Sequence, residues 1–420
     1  MNTNMAIDSL WVLVGGILVF WMQAGFAMIE TGFTRSKNAG NIIMQNLINF
    51  AIASLIFWSV GFAIMYGADV AGIIGTSGYF PTGDGFAYPK GISSYAFLFF
   101  QTVLCATATT IVSGAMAERT KFISYCIYSI VISAVIYPVA GHWIFGGGWL
   151  AQLGFHDFAG GTAVHSIGGW CALVGAAILG PRIGKYTKDG RSNAIPGHGI
   201  TLGALGVFIL WMGWFGFNAG SSLGITGQGA AEMNSRIFIT TNLAGAASAI
   251  ATMIITWFKY GKSDISLTLN GVLAGLVAIT AGCDVVTPMG SVIIGVIAGF
   301  AIVYGIQFVD NVLKVDDPVG VIGVHCINGV LGTVLTGLFA AYGKSLGVFY
   351  GGGFKLLGVQ IAGVIAVGIW SVITATILFK AIKAIVGLRV TRQEEIRGLD
   401  IEEHGLKSSY ADFQSTDLNM

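Results

Sequence analysis

Charge is scarce in this sequence. Asp, Glu, Lys and Arg together make up 10% of its 420 residues, and 21 basic against 20 acidic side chains leave a formal net charge of +1. A soluble domain carries about 25% charged residues, so the composition excludes a water-soluble enzyme and a disordered chain. So even a balance also leaves no basic footprint for nucleic acid. Cysteine supplies only Cys105, Cys126, Cys171, Cys283 and Cys326, none in a C-x-x-C pair. They read as small buried hydrophobes rather than as disulfide or metal sites. The short alternating segments of a membrane β-barrel are missing too. The opening MNTNMAIDSL lacks the basic start of a secretory signal, so the first apolar run is expected to stay as a span.

What is abundant is apolar surface. Fifty-five percent of the residues are apolar, and a transmembrane helix needs about 20 of them, which allows roughly eleven helices. The 62 glycines suit helices that pack closely in lipid. The expected fold class is therefore an all-α polytopic membrane protein. Its eleven transmembrane helices lie near 9–33, 41–67, 94–117, 121–141, 160–180, 197–219, 235–258, 265–281, 287–308, 320–341 and 355–387. Lys and Arg set the orientation. Seventeen of the 21 fall on one set of loops and the C-terminal tail, leaving Lys90, Arg236, Lys344 and Lys355 on the other. The basic side is thus expected to be cytoplasmic, with the N-terminus outside and the C-terminus inside the cell (inner or plasma) membrane. The loop at Lys314 runs against this trend, being more acidic than basic.

An odd helix count fits an inverted 5+5 repeat plus a final helix. The repeats would cover about 9–180 and 197–341, with the eleventh helix at about 355–387. A local echo supports it. The fifth span opens Asp157-Phe-Ala-Gly-Gly-Thr-Ala-Val-His165 and the tenth opens Asp317-Pro-Val-Gly-Val-Ile-Gly-Val-His325, each with Asp eight residues before His. At 1.5 Å per residue each His lies about 12 Å beyond its Asp. One span enters from each side, so both histidines approach the membrane middle. Ionisable groups there are functional candidates. The two aspartates read first as caps on helix starts, although Asp157 also shapes the field at the entrance. Glu30, near the end of the first span, is expected to pair with a basic group at the cytoplasmic side.

These stretches are similar to the ammonium transporter (Amt/Mep/Rh) family. The resemblance runs through Ala24-Gly-Phe-Ala-Met-Ile-Glu30, Arg35-Ser-Lys-Asn38, Gly114-Ala-Met-Ala-Glu-Arg119 and the two Asp-to-His segments. It continues through Trp211-Met-Gly-Trp-Phe-Gly-Phe-Asn-Ala-Gly-Ser221 and Gly398-Leu-Asp-Ile-Glu-Glu-His-Gly405. The Trp211–Ser221 stretch and the tail resemble the Amt branch. The resemblance implies a homotrimer in the lipid bilayer with one pore per subunit. His165 and His325 would be the pore pair, Ser221 the recruiting hydroxyl, Phe217 the inner gate ring and Asp157 an acidic support. The sequence itself offers no metal-ligand spacing and no nucleophile–base constellation, so no enzyme chemistry, no cofactor and no metal are expected. Two positions depart from the family pattern: Leu104 stands where the outer gate phenylalanine is expected, and Phe145 where the recruiting tryptophan is expected. Phe100 keeps an aromatic ring one turn from Leu104, and Trp143 keeps an indole near Phe145.

The chemistry agrees with that reading. A full charge in hydrocarbon costs several kcal/mol or more, whereas neutral ammonia crosses cheaply. Aromatic faces can hold the cation at the mouth, a serine oxygen can accept one of its N–H bonds, and neutral imidazoles can both accept and donate beyond it. Residues 1–387 would form the transporter domain and 388–420 a cytoplasmic regulatory tail, in which Thr391-Arg-Gln-Glu394 fits a capping box. The resemblance implies that this tail meets a PII-type signalling protein. An ammonium sensor on the same fold, conducting little, is the second reading. An ion-coupled carrier for another small solute is a third.

Overall fold

The computed structural model describes residues 3–82, 89 and 91–410. Lys90 and the last ten residues of the tail lie outside the described residues. Ten helices among these are long and apolar enough to cross a membrane, and an eleventh is shorter. They are α1 (Thr3–Phe33), α2 (Ser36–Tyr66), α3 (Ser94–Met116), α4 (Phe122–Leu153, broken at 145–148), α5 (Gly161–Leu179) and α6 (Ile200–Gly220). There follow α7 (Ala230–Tyr260), α8 (Ile265–Thr280), α9 (Pro288–Leu313), α10 (Ile322–Phe339) and α11 (Lys355–Ile385). In lipid a chain must satisfy its own backbone, and helices do so segment by segment. Two tail helices, α12 (Arg392–Arg397) and α13 (Leu399–His404), complete the set. The strands β1 (Asp69–Val70) and β2 (Ile74–Gly75) form a small hairpin after α2.

Glycine sets how the helices meet. Along α1 and α6 the backbones touch: a Cβ on Gly15 would lie 3.0 Å from Gly220 Cα, and one on Gly25 would lie 3.0 Å from the Gly206 carbonyl oxygen. Without a hydrophobic force between helices in lipid, such close backbone packing is a main source of association. The same device joins α7 to α8 and α9, where Gly275 and Gly295 both face the Ala244 carbonyl.

The loops and tail at the Arg35 end form the basic face. Their charges are paired there. Glu118, buried and at φ +73°, bridges Arg35 and Arg182, and Asp316 accepts from Arg182 Nε and Nη2, each at 2.9 Å. The Arg182 guanidinium beside Asp316 holds that carboxyl down at about 2, against its burial. The acidic loop at Lys314 thereby finds its reason: Asp310 takes Lys185, Tyr186 and Ser192, and Asp316 takes Arg182. Its carboxylates are counter-ions for neighbouring basic loops.

The tail is stitched to this face. Thr391 and Glu394 form the expected capping box. Asp400 accepts from the backbone N–H groups of Gly40 and Asn41, close to the start of α2. Lys37 donates to the Glu395 and Ile396 carbonyls, and Asn38 accepts from Leu399 N–H. Glu395 accepts from Ile183 N–H and from Arg389.

One expectation is corrected here. Glu30 is buried and meets no basic group; its contacts are Asn46 Nδ2 at 2.9 Å and Ser113 Oγ at 2.5 Å. The arginine nearest in sequence, Arg35, is committed to Glu118 instead.

Candidate functional site: a histidine pair below an aromatic cavity

The two Asp-to-His segments fold alike. Asp157 accepts four backbone N–H bonds, from Gly160, Gly161, Thr162 and Ala163, at 2.7–2.9 Å. Asp317 accepts three, from Gly320, Val321 and Ile322, at 2.7–3.2 Å. Each carboxylate thus closes the orphan donors of a helix start. Burial pushes both carboxyls above their usual range, and the N–H groups oppose it. Three residues after each Asp stands a glycine in the left-handed region, Gly160 at φ +106° and Gly320 at φ +86°, a turn that a side chain would strain. Each helix then begins as a π-helical turn, Gly161–Ser166 and Ile322–Ile327, and each turn carries its histidine. Such turns concentrate at functional sites.

The histidines meet. Their Nδ1 atoms are 3.2 Å apart, and both side chains are buried. Two neutral imidazoles at that distance share one Nδ1 proton. One ring therefore carries its hydrogen on Nδ1 and keeps a bare Nε2, while its partner carries hydrogen on Nε2. His165 is covered by Trp214 and Phe217, with ring centroids 4.9 and 5.2 Å away, and Phe26 stands 6.2 Å from His325. The Trp214 indole is fixed by a 2.9 Å bond to Thr280 Oγ1. His165 Nε2 has no protein partner.

Away from the basic face lies a cavity of about 130 Å³ that brings together Leu104, Phe145 and Ser221. Ser221 donates its one hydroxyl proton to the Phe217 carbonyl at 2.8 Å. Its oxygen lone pairs are therefore left for an incoming N–H. Phe217 ties the two parts of the site, its carbonyl on Ser221 and its ring on His165. The remaining aromatic walls, Tyr66, Phe97 and Phe158, were not picked out from sequence. Tyr66 and Phe97 stack edge to face at 4.9 Å.

Besides Phe217, the residues Phe100, Asp157 and Trp143 lie outside that cavity. Phe100 is fully buried, its ring pressed on Gly15 and Gly220 where α1 meets α6. Asp157 caps the start of α5 through its four N–H bonds. Trp143 donates its indole N–H to the Ile73 carbonyl and packs on Trp149 and Trp370, so it fastens α4 to the small hairpin and to α11. Among the described residues no cluster of His, Cys, Asp or Glu has the arrangement of a metal site, and all five cysteines are free.

The Ammonium Transporter Family profile matches residues 10–409. The chain belongs to the ammonium transporter family. Ammonium transporter Amt2 of Archaeoglobus fulgidus is 46% identical, the match covering 100% of this chain and 91% of that one. Ammonium transporter 3 of Dictyostelium discoideum is 36% identical, over 95% of this chain and 93% of its own. Among solved structures, a protein named Sensor Amt Protein superposes with a TM-score of 0.91 at 42% identity, covering 96% of this chain and 99% of that chain. Mep2 of Candida albicans gives 0.85 at 27% identity, over 94% and 88%. This family membership and the apolar spans make the chain a multi-pass membrane protein that transports or senses ammonium, in a family of transporters rather than enzymes.

Proposed function

We propose that this chain is an ammonium channel or transporter that recruits the cation, strips its proton and passes ammonia along the histidine pair. The observation that carries it is the Nδ1–Nδ1 contact of His165 and His325 beneath the Phe217 and Trp214 rings. Ammonium enters the cavity opposite the basic face. There the rings of Tyr66, Phe97, Phe145 and Phe158 offer π faces, and the free lone pairs of Ser221 accept an N–H. Leu104 and Phe217 form the gate. Beyond it the apolar walls favour neutral ammonia. The pair then presents one bare Nε2 and one Nε2–H, so ammonia meets an acceptor and a donor.

The basic face lies in the cytoplasm, which puts the N-terminus outside and the C-terminus inside the cell membrane. Residues 1–387 act as the transporter domain in a homotrimer. Residues 388–420 regulate it and meet a PII-type protein. The hydrogen bonds that fasten α12 and α13 to the loops below the pore support that role.

A second reading, an ammonium sensor with little conduction, draws on Leu104 and Phe145. It draws also on the 42% identity to the protein named Sensor Amt Protein. Ammonium-evoked current in proteoliposomes, with His165→Ala and Leu104→Phe beside the native protein, decides between them. A saturable current altered by His165→Ala supports transport. Binding without current or pH-coupled ammonia flux supports sensing.

A further inference from the structure

Glu30 stands in α1 one helical turn after Phe26, the ring that packs beside His325. Its side chain is 1% exposed. The surrounding groups offer no cation to it. Arg35 is bound to Glu118, and Lys37 is bound to tail carbonyls. From α3 it faces Ser113; α4 brings Tyr125, Tyr128 and Cys126 to that side. From α2 it faces the neutral Asn46, and the tail groups Asp400 and His404 lie against the start of that helix, about one and a half turns away. Across Gly114 the neighbour is Val321 of the segment that starts at Asp317.

A count of protons is informative here. Ser113 Oγ lies 2.5 Å from Glu30 Oε1 and 2.6 Å from the Thr110 carbonyl oxygen. A hydroxyl has one proton and a carbonyl has none to give. Both contacts are full two-centre hydrogen bonds only if the second proton belongs to Glu30. The other carboxyl oxygen accepts from Asn46 Nδ2, as a C=O does. An ionised carboxylate here would have only two neutral donors, Asn46 and a Ser113 hydroxyl shared with the Thr110 carbonyl, against a desolvation cost of several kcal/mol.

The surroundings add a second, independent observation. Glu30 opens a polar seam between α1, α2 and α3. Thr110 Oγ1 donates to Gln23 Oε1 at 2.9 Å and accepts from Asn49 Nδ2 at 2.5 Å. Along this seam the buried atoms Asn46 Oδ1, Asn49 Oδ1 and Gln23 Nε2 have no protein partner. Buried polar atoms are nearly always paired, and a run of unpaired ones is fit to exchange a proton through water rather than to seal one in.

We propose that Glu30 is a proton-binding site outside the histidine pore, neutral in this packed state, and that losing its proton toward the basic face loosens the α1–α2–α3 seam and slows transport. The proton goes from the carboxyl to cytoplasmic water or buffer base, leaving one negative charge in the seam. No other bond changes. The effect on transport rests on the transport reading above, whereas proton binding itself does not.

Two measurements on the full-length protein test it. In infrared titration of purified protein, the C=O band of a protonated carboxylic acid should fade as pH rises and be missing in Glu30→Gln. An unchanged titratable band in that variant overturns the site. Should the variant not fold, isotopic labelling of glutamate carboxyls in native protein assigns the band to Glu or to Asp, and an Asp-only band overturns it equally. In proteoliposomes, native transport should fall about threefold or more as internal pH rises from about 6 to about 9. Glu30→Gln, which copies the neutral acid, should hold its rate. A variant with the native pH profile overturns the coupling. A native protein silent for ammonium but showing the band removes the transport reading and leaves the proton site standing.

Discussion

The Nδ1 atoms of His165 and His325 lie 3.2 Å apart although 160 residues separate them in the chain. Their helices arrive from opposite faces, each through an Asp cap, a left-handed glycine and a π-helical turn. The shared Nδ1 proton makes the two rings complementary, so neither can be replaced without changing the other's tautomer. His165→Ala or His325→Ala should each lower saturable ammonium conduction about tenfold, the equivalent of one lost hydrogen bond of about 1.4 kcal/mol. The double variant should be little worse than either single one, because the pair acts as a unit. Additive losses in the current assay would break the coupling.

The cavity has aromatic walls with a leucine, Leu104, set among them. Leu104→Phe and Phe145→Trp each add or enlarge a π face toward the bound cation, worth up to about 2 kcal/mol in a desolvated site. The half-saturating ammonium concentration should drop about three- to tenfold. Ser221→Ala should raise it. Current or flux measured against ammonium concentration reads all three.

Asp157 holds four N–H groups that otherwise face one another unpaired. Asp157→Ala should cost about 2 kcal/mol or more and lower the melting temperature of purified protein, with Asp157→Asn in between. An unchanged melting temperature in the alanine variant would mean that the cap is dispensable.

Acid should weaken the basic face in a defined window. The carboxyl of Asp316 sits at about 2 in the folded protein against an ordinary 3.8. A depressed carboxylate stabilises above its unfolded value, and that contribution is lost as pH falls through the folded one. Between about pH 4 and pH 2 the protein should lose about 2 kcal/mol from this pair. Asp316→Asn should be less stable at neutral pH and lose less on acidification. Thermal unfolding across that pH range checks it.

The tail is held by hydrogen bonds to α2 and the basic loops, and Asp400 carries two of them. Asp400→Ala removes the acceptor of two N–H groups at α2, at about 1 kcal/mol, and should speed proteolytic cleavage of the tail. Removing 391–420 should change the transport rate or binding of a PII-type protein. No change in either would exclude a regulatory role.

The spans were legible because a bilayer demands long apolar runs. Their ends were less so. The first helix begins at Thr3 and the seventh at Ala230, several residues before their apolar stretches, since polar starts such as Asn4 and Glu232 are helical without being hydrophobic. The histidine pair was readable from its repeated spacing to Asp. Tyr66, Phe97 and Phe158 were not: they sit on separate segments and look like any other apolar residue until folding gathers them. Glu30 misled for a related reason. Charge pairing is decided in space, and Arg35 turns to Glu118 rather than back to its own helix.

Asp400 supplies N–H acceptors to residues 40 and 41, about 360 positions upstream. During synthesis that end of α2 must therefore wait, inserted but incompletely closed, until residue 400 has left the ribosome. A truncated product would carry an open helix end on the basic face. The seated tail is thus a mark that the chain has been made through residue 400, and a surface by which a protease could tell such chains from shorter fragments.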